Sequence, residues 1–204
     1  MIRARSQLAL AAAALAVAAC LSRPAVDRSS YYLGAPREAA PVAVPKPVAL
    51  RVRPLRAEPL YERRELIYRG DGERVISDFY NEFAERPDAM VTSALIAWLK
   101  SARLFSVVVE PGVPAEAPYA LDGSVVALYG DLRDGQKPTA VMALQFYVVR
   151  IASPGSDIVF DRAFQQRIEV RARTPEALVQ GYNEALGRIF AELERELSAL
   201  QLQR

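Results

Sequence analysis

Apolar and polar residues alternate along most of the chain after residue 48. Val48, Leu50 and Val52 alternate with Ala49, Arg51 and Arg53, which predicts a strand. Glu65–Arg69 and Glu73–Tyr80 predict two more strands around a Gly70-Asp71-Gly72 turn. Pro87–Ala102 reads as a helix, with proline in the first turn and Val91, Leu95, Trp98, Leu99 and Ala102 on one face. Phe105–Val109 is a short β-branched run stopped by Pro111-Gly112. Three longer strands follow, Tyr119–Leu128, Ala140–Ile151 and Ile158–Val170, with turns at Asp134-Gly135 and at Ser153–Ser156. In the second, Met142, Leu144, Phe146 and Val148 share a face. In the third, Ile158, Phe160, Phe164, Ile168 and Val170 oppose Asp161, Gln165, Arg167 and Glu169, with Arg162 an exception on the apolar side. Thr174-Pro175-Glu176 is a helix start, and Leu178, Tyr182, Leu186, Ile189, Leu193 and Leu197 form a helical stripe. One dry and one wet sheet face with two amphipathic helices predicts a two-layer α+β domain. The turns between successive strands predict a mostly antiparallel sheet with both helices packed on one face.

The first residues follow a different rule. Leu8–Val17 is an unbroken apolar run after Arg3 and Arg5. It is too short to span a bilayer, which takes about 20 residues, and fits the core of a secretory signal peptide. The run ends Val17-Ala18-Ala19-Cys20, the lipobox pattern of bacterial lipoproteins. Small side chains let a peptidase reach the bond before the cysteine, whose thiol accepts a diacylglycerol. An ordinary signal peptide cut after Ala18 or Ala19 is the alternative. The expected division is a signal peptide over 1–19, a lipidated Cys20 with a tether over 20–47, and a domain over 48–200. Pro24, Pro36, Pro41, Pro45 and Pro47 favour an extended tether reaching roughly 80 Å. Leu21 in place of an aspartate leans toward the outer membrane. Tyr31, Tyr32 and Leu33 read either as a piece docked back on the domain or as a partner contact.

Charge and chemistry narrow the function. The 26 basic residues exceed the 24 acidic ones by two, and Arg3 and Arg5 account for both. The chain from Cys20 onward is formally neutral and does not interleave basic with aromatic residues, which argues against nucleic acid. There is no histidine, so Ser-His-Asp, Cys-His and His-metal sites are excluded. With one cysteine there is no intramolecular disulfide. No serine after Cys20 precedes a lysine by three residues, as Ser-Lys catalysis requires. Asp131 and Asp134 read as a carboxylate pair or, more simply, as turn formers. Arg69-Gly70-Asp71 needs no meaning beyond its turn. Trp98 reads as core or as an aromatic anchor for a partner. No metal or cofactor is implied, and the apolar stripes suit a monomer or a homo-oligomer alike.

Several segments together resemble the ABC-type transport auxiliary lipoprotein family over roughly residues 31–200. They are Tyr31-Tyr32-Leu33, then Leu66–Arg69 before a turn and a strand ending Asp78-Phe79-Tyr80. The helix from Pro87 is followed by Leu104–Val108, then Tyr119-Ala120-Leu121-Asp122-Gly123, and Thr174–Val179 opens the final helix. Members usually carry a tryptophan just before the first helix; here Phe83 fills that place. The resemblance implies a non-enzymatic, lipid-anchored accessory of systems pairing an MCE-domain protein with an ABC permease and ATPase. Such systems move phospholipid or other hydrophobic molecules between inner and outer membranes. Cys20 would hold the chain to a membrane, and Tyr31, Tyr32 and Leu33, or Arg167, Glu169 and Arg171, would meet the partner. An envelope-assembly lipoprotein, serving lipopolysaccharide assembly or a cell-wall synthase, shares the anchor and tether. A hydrolase using carboxylates alone is a remote third.

Overall fold

The computed structural model describes residues 28–133, 136–152 and 155–202. Cys20, its lipobox residues Val17, Ala18 and Ala19, and Asp134 lie outside the described residues. The chain forms β1 (Ser29–Tyr31), β2 (Lys46–Val52), β3 (Arg56–Ala57), β4 (Glu65–Arg69), β5 (Val75–Phe83), α1 (Pro87–Ala102), β6 (Phe105–Val109), β7 (Tyr119–Asp131), β8 (Thr139–Ile151), β9 (Ser156–Glu169) and α2 (Pro175–Ala199). A 3₁₀ turn at Pro59–Tyr61 joins β3 to β4. No helix among the described residues is long and apolar enough to cross a membrane.

The α+β class holds, but the nine-stranded sheet is mixed, not mostly antiparallel. The three expected hairpins are present: β4/β5, β7/β8 and β8/β9 are antiparallel. The other pairs are parallel. Strand β7 gives one edge to β8 along its whole length. Its other edge is shared by β2, then β3, then β4, all running parallel to it. Beyond β2 lies β6, parallel to it; beyond β4 lies its hairpin partner β5, and beyond β5 lies β1, parallel to β5. Pro54, with no N–H to give, separates β2 from β3. Arg53 and Glu58 on either side still donate to Leu121 and Val125 of β7. Alternation says which face of a strand is dry; it does not encode direction.

The dry face of β7–β9 carries Leu121, Val125, Leu128, Met142, Leu144, Phe146, Val148, Phe160, Phe164 and Ile168, all buried. The predicted stripe of α2 packs on it in full. Gly181 lets α2 approach β8: a Cβ there would lie 2.6 Å from the Ala140 Cβ. Thr174 caps α2 by accepting from the Ala177 amide, and Pro175 occupies the first turn. Helix α1 buries Val91, Leu95, Trp98, Leu99 and Ala102 as read from the sequence, and Arg103 in the left-handed region (φ 52°) stops it. Trp98 is core, set edge-on to Phe190 at 5.6 Å between ring centres. Ile158 departs from expectation. The register slips by one residue at Val159, and the bulge turns Ile158 to solvent. The other sheet face is not wholly wet either: Ile67, Tyr129 and Val141 cluster there beside Tyr61 of the 3₁₀ turn.

The proline-rich segment is where structure and sequence differ most. From Ser29 it is part of the fold rather than a free tether. β1 pairs with β5, and Leu33 is fully buried. The Gly34 amide donates to Asn183 on α2, Val42 to the Ala102 carbonyl, and Lys46 to the Leu104 carbonyl. Arg37 donates from Nε and Nη2 to the two carboxylate oxygens of Glu194, each at 2.8 Å, and Trp98 Nε1 donates to the same carboxylate at 2.7 Å. The Arg37 side chain is 3% exposed. Prolines ruled out a helix, but not docking as irregular chain. The body therefore starts near residue 29, not 48, and seven residues, or eight Cα–Cα steps, separate Cys20 from Arg28. Such a linker reaches about 27 Å, not 80.

Candidate functional site at the amino-terminal corner

The corner where the chain enters the domain is organised by one carboxylate. Between the pairs Glu65↔Glu82 and Ile67↔Ser77, β4 advances two residues and β5 advances five. The surplus on β5 must loop out of the sheet. Asp78 shapes that loop. Its Oδ1 accepts from the amides of Tyr80 (2.9 Å) and Asn81 (3.1 Å), an Asx-type turn. Its Oδ2 accepts from the Tyr68 hydroxyl (2.8 Å) and the Asn81 side-chain amide (2.9 Å). Burial would raise the Asp78 pKa, but these hydrogen bonds together outweigh it and hold the carboxyl below its ordinary value. Burial, then the bond to Asp78, pushes the Tyr68 phenol well above its ordinary value. The loop drives Phe79 and Tyr80 outward, 62% and 51% exposed, edge to face with ring centres 5.5 Å apart.

The amino-terminal strand closes the corner. The Arg28 guanidinium lies 4.2 Å from the centre of the Phe79 ring. The Tyr31 hydroxyl donates to Glu176 Oε1 at 2.5 Å, at the start of α2, with Asn81 Oδ1 3.1 Å away. That bond lowers the Glu176 pKa; burial and then the same bond raise that of Tyr31. A carboxylate in the first turn of a helix also meets the positive end of its dipole.

The candidate residues read from the sequence separate in space. Tyr31 and Leu33 dock on the domain, whereas Tyr32 is exposed. Arg167 and Glu169 lie on β9, at the opposite edge of the sheet from β1, with Arg171 just beyond it. Arg167 donates to Asp131 at 3.0 Å, and Lys137 to Glu169 at 2.6 Å; Arg171 is exposed. Asp131, 1% exposed, also takes a two-pronged pair from Arg133 at 2.8 and 2.7 Å. Hydrogen bonds from Arg133 first, then Arg167, hold its pKa far below the usual carboxylate range against the effect of burial. It is thus a fixed anion under two guanidiniums, unsuited to exchanging protons near neutrality. Among the described residues, no group of three Cys, Asp or Glu side chains could hold a metal ion.

The sequence reading missed Arg28, Asp78, Phe79 and Tyr80 as a unit. A signal was there: adjacent Phe and Tyr cannot both face the core of a regular strand, and Asp78 before them is an Asx-turn former.

The family model described as "ABC-type transport auxiliary lipoprotein component" matches residues 31–194. Among solved structures, protein XCC0632 from Xanthomonas campestris is similar with a TM-score of 0.68 at 15% identity, covering 83% of this chain and 93% of that one. The hypothetical protein CT253 from Chlamydia trachomatis is similar with a TM-score of 0.52 at 8% identity, covering 76% of this chain and 99% of that one. At these identities the likeness is one of fold. No curated protein sequence matches the chain.

Proposed function

The chain belongs to the ABC-type transport auxiliary lipoprotein family, and on that premise we propose that it is a lipid-anchored, non-catalytic subunit of an envelope transporter. It works with an MCE-domain protein, an ABC permease and an ATPase to move phospholipid or other hydrophobic molecules between inner and outer membranes. The observation that carries this reading is the join between anchor and body. Cys20 follows Val17-Ala18-Ala19 and stands eight residues before a chain that is strand-paired, buried at Leu33 and ion-paired at Arg37. Acylation of Cys20 through more than one chain would hold the domain firmly to the bilayer. Leu21 favours the outer membrane. The exposed Tyr32 and the charged end of β9, with Arg167, Glu169 and Arg171, are the surfaces offered to the MCE partner.

Affinity purification of the full-length protein from detergent-solubilised native envelopes, with mass spectrometry, tests this. Recovery of an MCE-domain protein, permease and ATPase is the expected result. Recovery of an outer-membrane barrel or a cell-wall synthase instead would make the protein an envelope-assembly factor. The same spectra should show acyl chains on Cys20.

A further inference from the structure

We propose that the Phe79-Tyr80 knuckle is a second membrane contact: it seats in the headgroup region of the bilayer that holds the acyl chains and orients the domain there. This rests on acylation of Cys20. The exposed apolar surface is concentrated here. Val75, Ile76, Phe79 and Tyr80 fall within six residues of β5 and account for four of the twelve large apolar side chains exposed among the described residues. Strand β1 covers β5 only from Asn81 to Phe83, so the sheet edge from Val75 to Tyr80 has no strand beside it among the described residues.

The direction of the chain selects a lipid surface as the occupant. Because β1 and β5 run parallel with Ser29 opposite Asn81, one step back places Arg28 beside Tyr80, and its guanidinium stacks on Phe79. The segment coming from Cys20 thus enters the fold at the knuckle. Eight Cα–Cα steps limit the separation between the acylated cysteine and Arg28 to about 27 Å. Phe79 and Tyr80 are thus exposed apolar side chains at the point where the anchored segment enters the fold.

The local chemistry fits the same occupant. Aromatic rings with a polar or cationic neighbour favour the membrane–water interface, where Tyr keeps its hydroxyl wet and Arg meets lipid phosphate. Backbone amides brought toward lipid cost free energy unless bonded. Here the Tyr80 and Asn81 amides are already satisfied by Asp78, whose carboxylate turns inward to Tyr68. The loop can approach the interface with these two amides kept bonded.

The test uses the full acylated chain in vesicles of phosphatidylethanolamine and phosphatidylglycerol, with or without acyl-brominated lipid. Phe79→Trp places a reporter on the knuckle. Ile158→Trp places one on β9, at the opposite edge of the sheet. Emission from Trp98, buried in both, is subtracted using the unaltered protein. The expected result is a blue shift and bromine quenching at position 79, and water-like, unquenched emission at 158. Thermal melts matching the unaltered protein show that both variants are folded. Water-like emission at 79 on acylated, vesicle-bound protein overturns the contact, as does equal quenching at both positions. Shielding of position 79 only after transporter subunits are added would assign the knuckle to a protein partner instead. An intact-mass measurement on the same sample separates the premises. An unmodified Cys20 removes the anchor, and the proposal with it; acylated protein with an unquenched knuckle removes the contact alone.

Discussion

Glu194 holds the amino-terminal segment to both helices, and removing its carboxylate should undock that segment. In the native fold the carboxylate takes two bonds from Arg37 and one from the indole of Trp98. The side chains of the ion pair are 3% and 16% exposed. Glu194→Ala leaves the buried indole N–H without its acceptor and the buried guanidinium without its counter-charge, with only the Ala39 and Ala40 carbonyls to accept from it. Breaking a buried pair costs about 3–5 kcal/mol; the partial exposure of Glu194 puts this one near 3 kcal/mol. For a domain of this size that lowers Tm by about 6–12 °C. Arg37→Ala should cost less, about 2 kcal/mol, because the carboxylate keeps the Trp98 bond and some water. The two losses share one interaction, so the double variant should fall short of additivity by about 1.5–3 kcal/mol. Chemical denaturation of the four proteins measures the cycle. Hydrogen exchange at the Val42 amide, bonded to the Ala102 carbonyl, reports local undocking and should accelerate in both single variants. Additive losses within about 0.5 kcal/mol, with Val42 still protected, would refute the clamp.

Three further outcomes follow from the packing and the charges. Gly181→Ala should destabilise by about 1–3 kcal/mol in urea unfolding, because its Cβ would meet the Ala140 Cβ at 2.6 Å and Val170 Cγ1 at 2.8 Å; a gain, as helix propensity alone requires, would show that α2 shifts freely on the sheet. Tyr182→Phe should stabilise by about 1 kcal/mol, since its fully buried hydroxyl has no hydrogen-bond partner in the structure; a loss in the same unfolding assay would reveal a partner for it. Asp131, Asp78 and Glu194 all have folded-state pKa values below their ordinary ones, so the unfolded chain binds more protons and the contribution is complete above about pH 4 and lost as pH falls through the folded values. Asp131→Asn should flatten that acid limb in Tm measured from pH 7 to pH 3, and an unchanged slope would contradict the assignment.

How far the sequence carried depended on whether a contact was local. Both helices and the three hairpins follow from periodicities and turns within a few residues of one another. The parallel docking of β2, β3 and β4 on β7 does not, because alternation marks the buried face without marking direction. The same limit hid the docking of the proline-rich segment: Arg37 finds its carboxylate 157 residues away, at Glu194. Single-residue bulges defeated alternation locally, turning Ile158 outward at Val159. At the candidate site, Tyr31-Tyr32-Leu33 was singled out as one unit, yet a strand end sends its members to three fates: Tyr31 to Glu176, Leu33 into the core and Tyr32 to solvent. The knuckle went unread because its exposure depends on a carboxylate bonding the backbone two and three residues on, which hydropathy does not record.

The docked segment changes what an anchor at Cys20 can do. A free tether of roughly 80 Å would have let the body roam across the gap between membranes. A seven-residue linker would confine it. A compact domain of this size is about 40 Å across, so with a linker of about 27 Å its far side stays within about 70 Å of the bilayer. On the proposed function, the chain would work as a membrane-proximal base, and any longer path for cargo would fall to its partner. The two candidate surfaces suit that division. The aromatic corner lies where the linker enters, while Arg167, Glu169 and Arg171 belong to the opposite edge of the sheet. Seating the first on the bilayer would leave the second open to a partner, and the Arg37–Glu194 clamp would hold the anchored segment to the helices packed on the sheet. Glu194→Ala should therefore weaken partner recovery in the affinity purification even where the acyl anchor and both surfaces are chemically intact. Undiminished recovery from a demonstrably undocked variant would show that the partner needs only proximity to the membrane, not a set orientation.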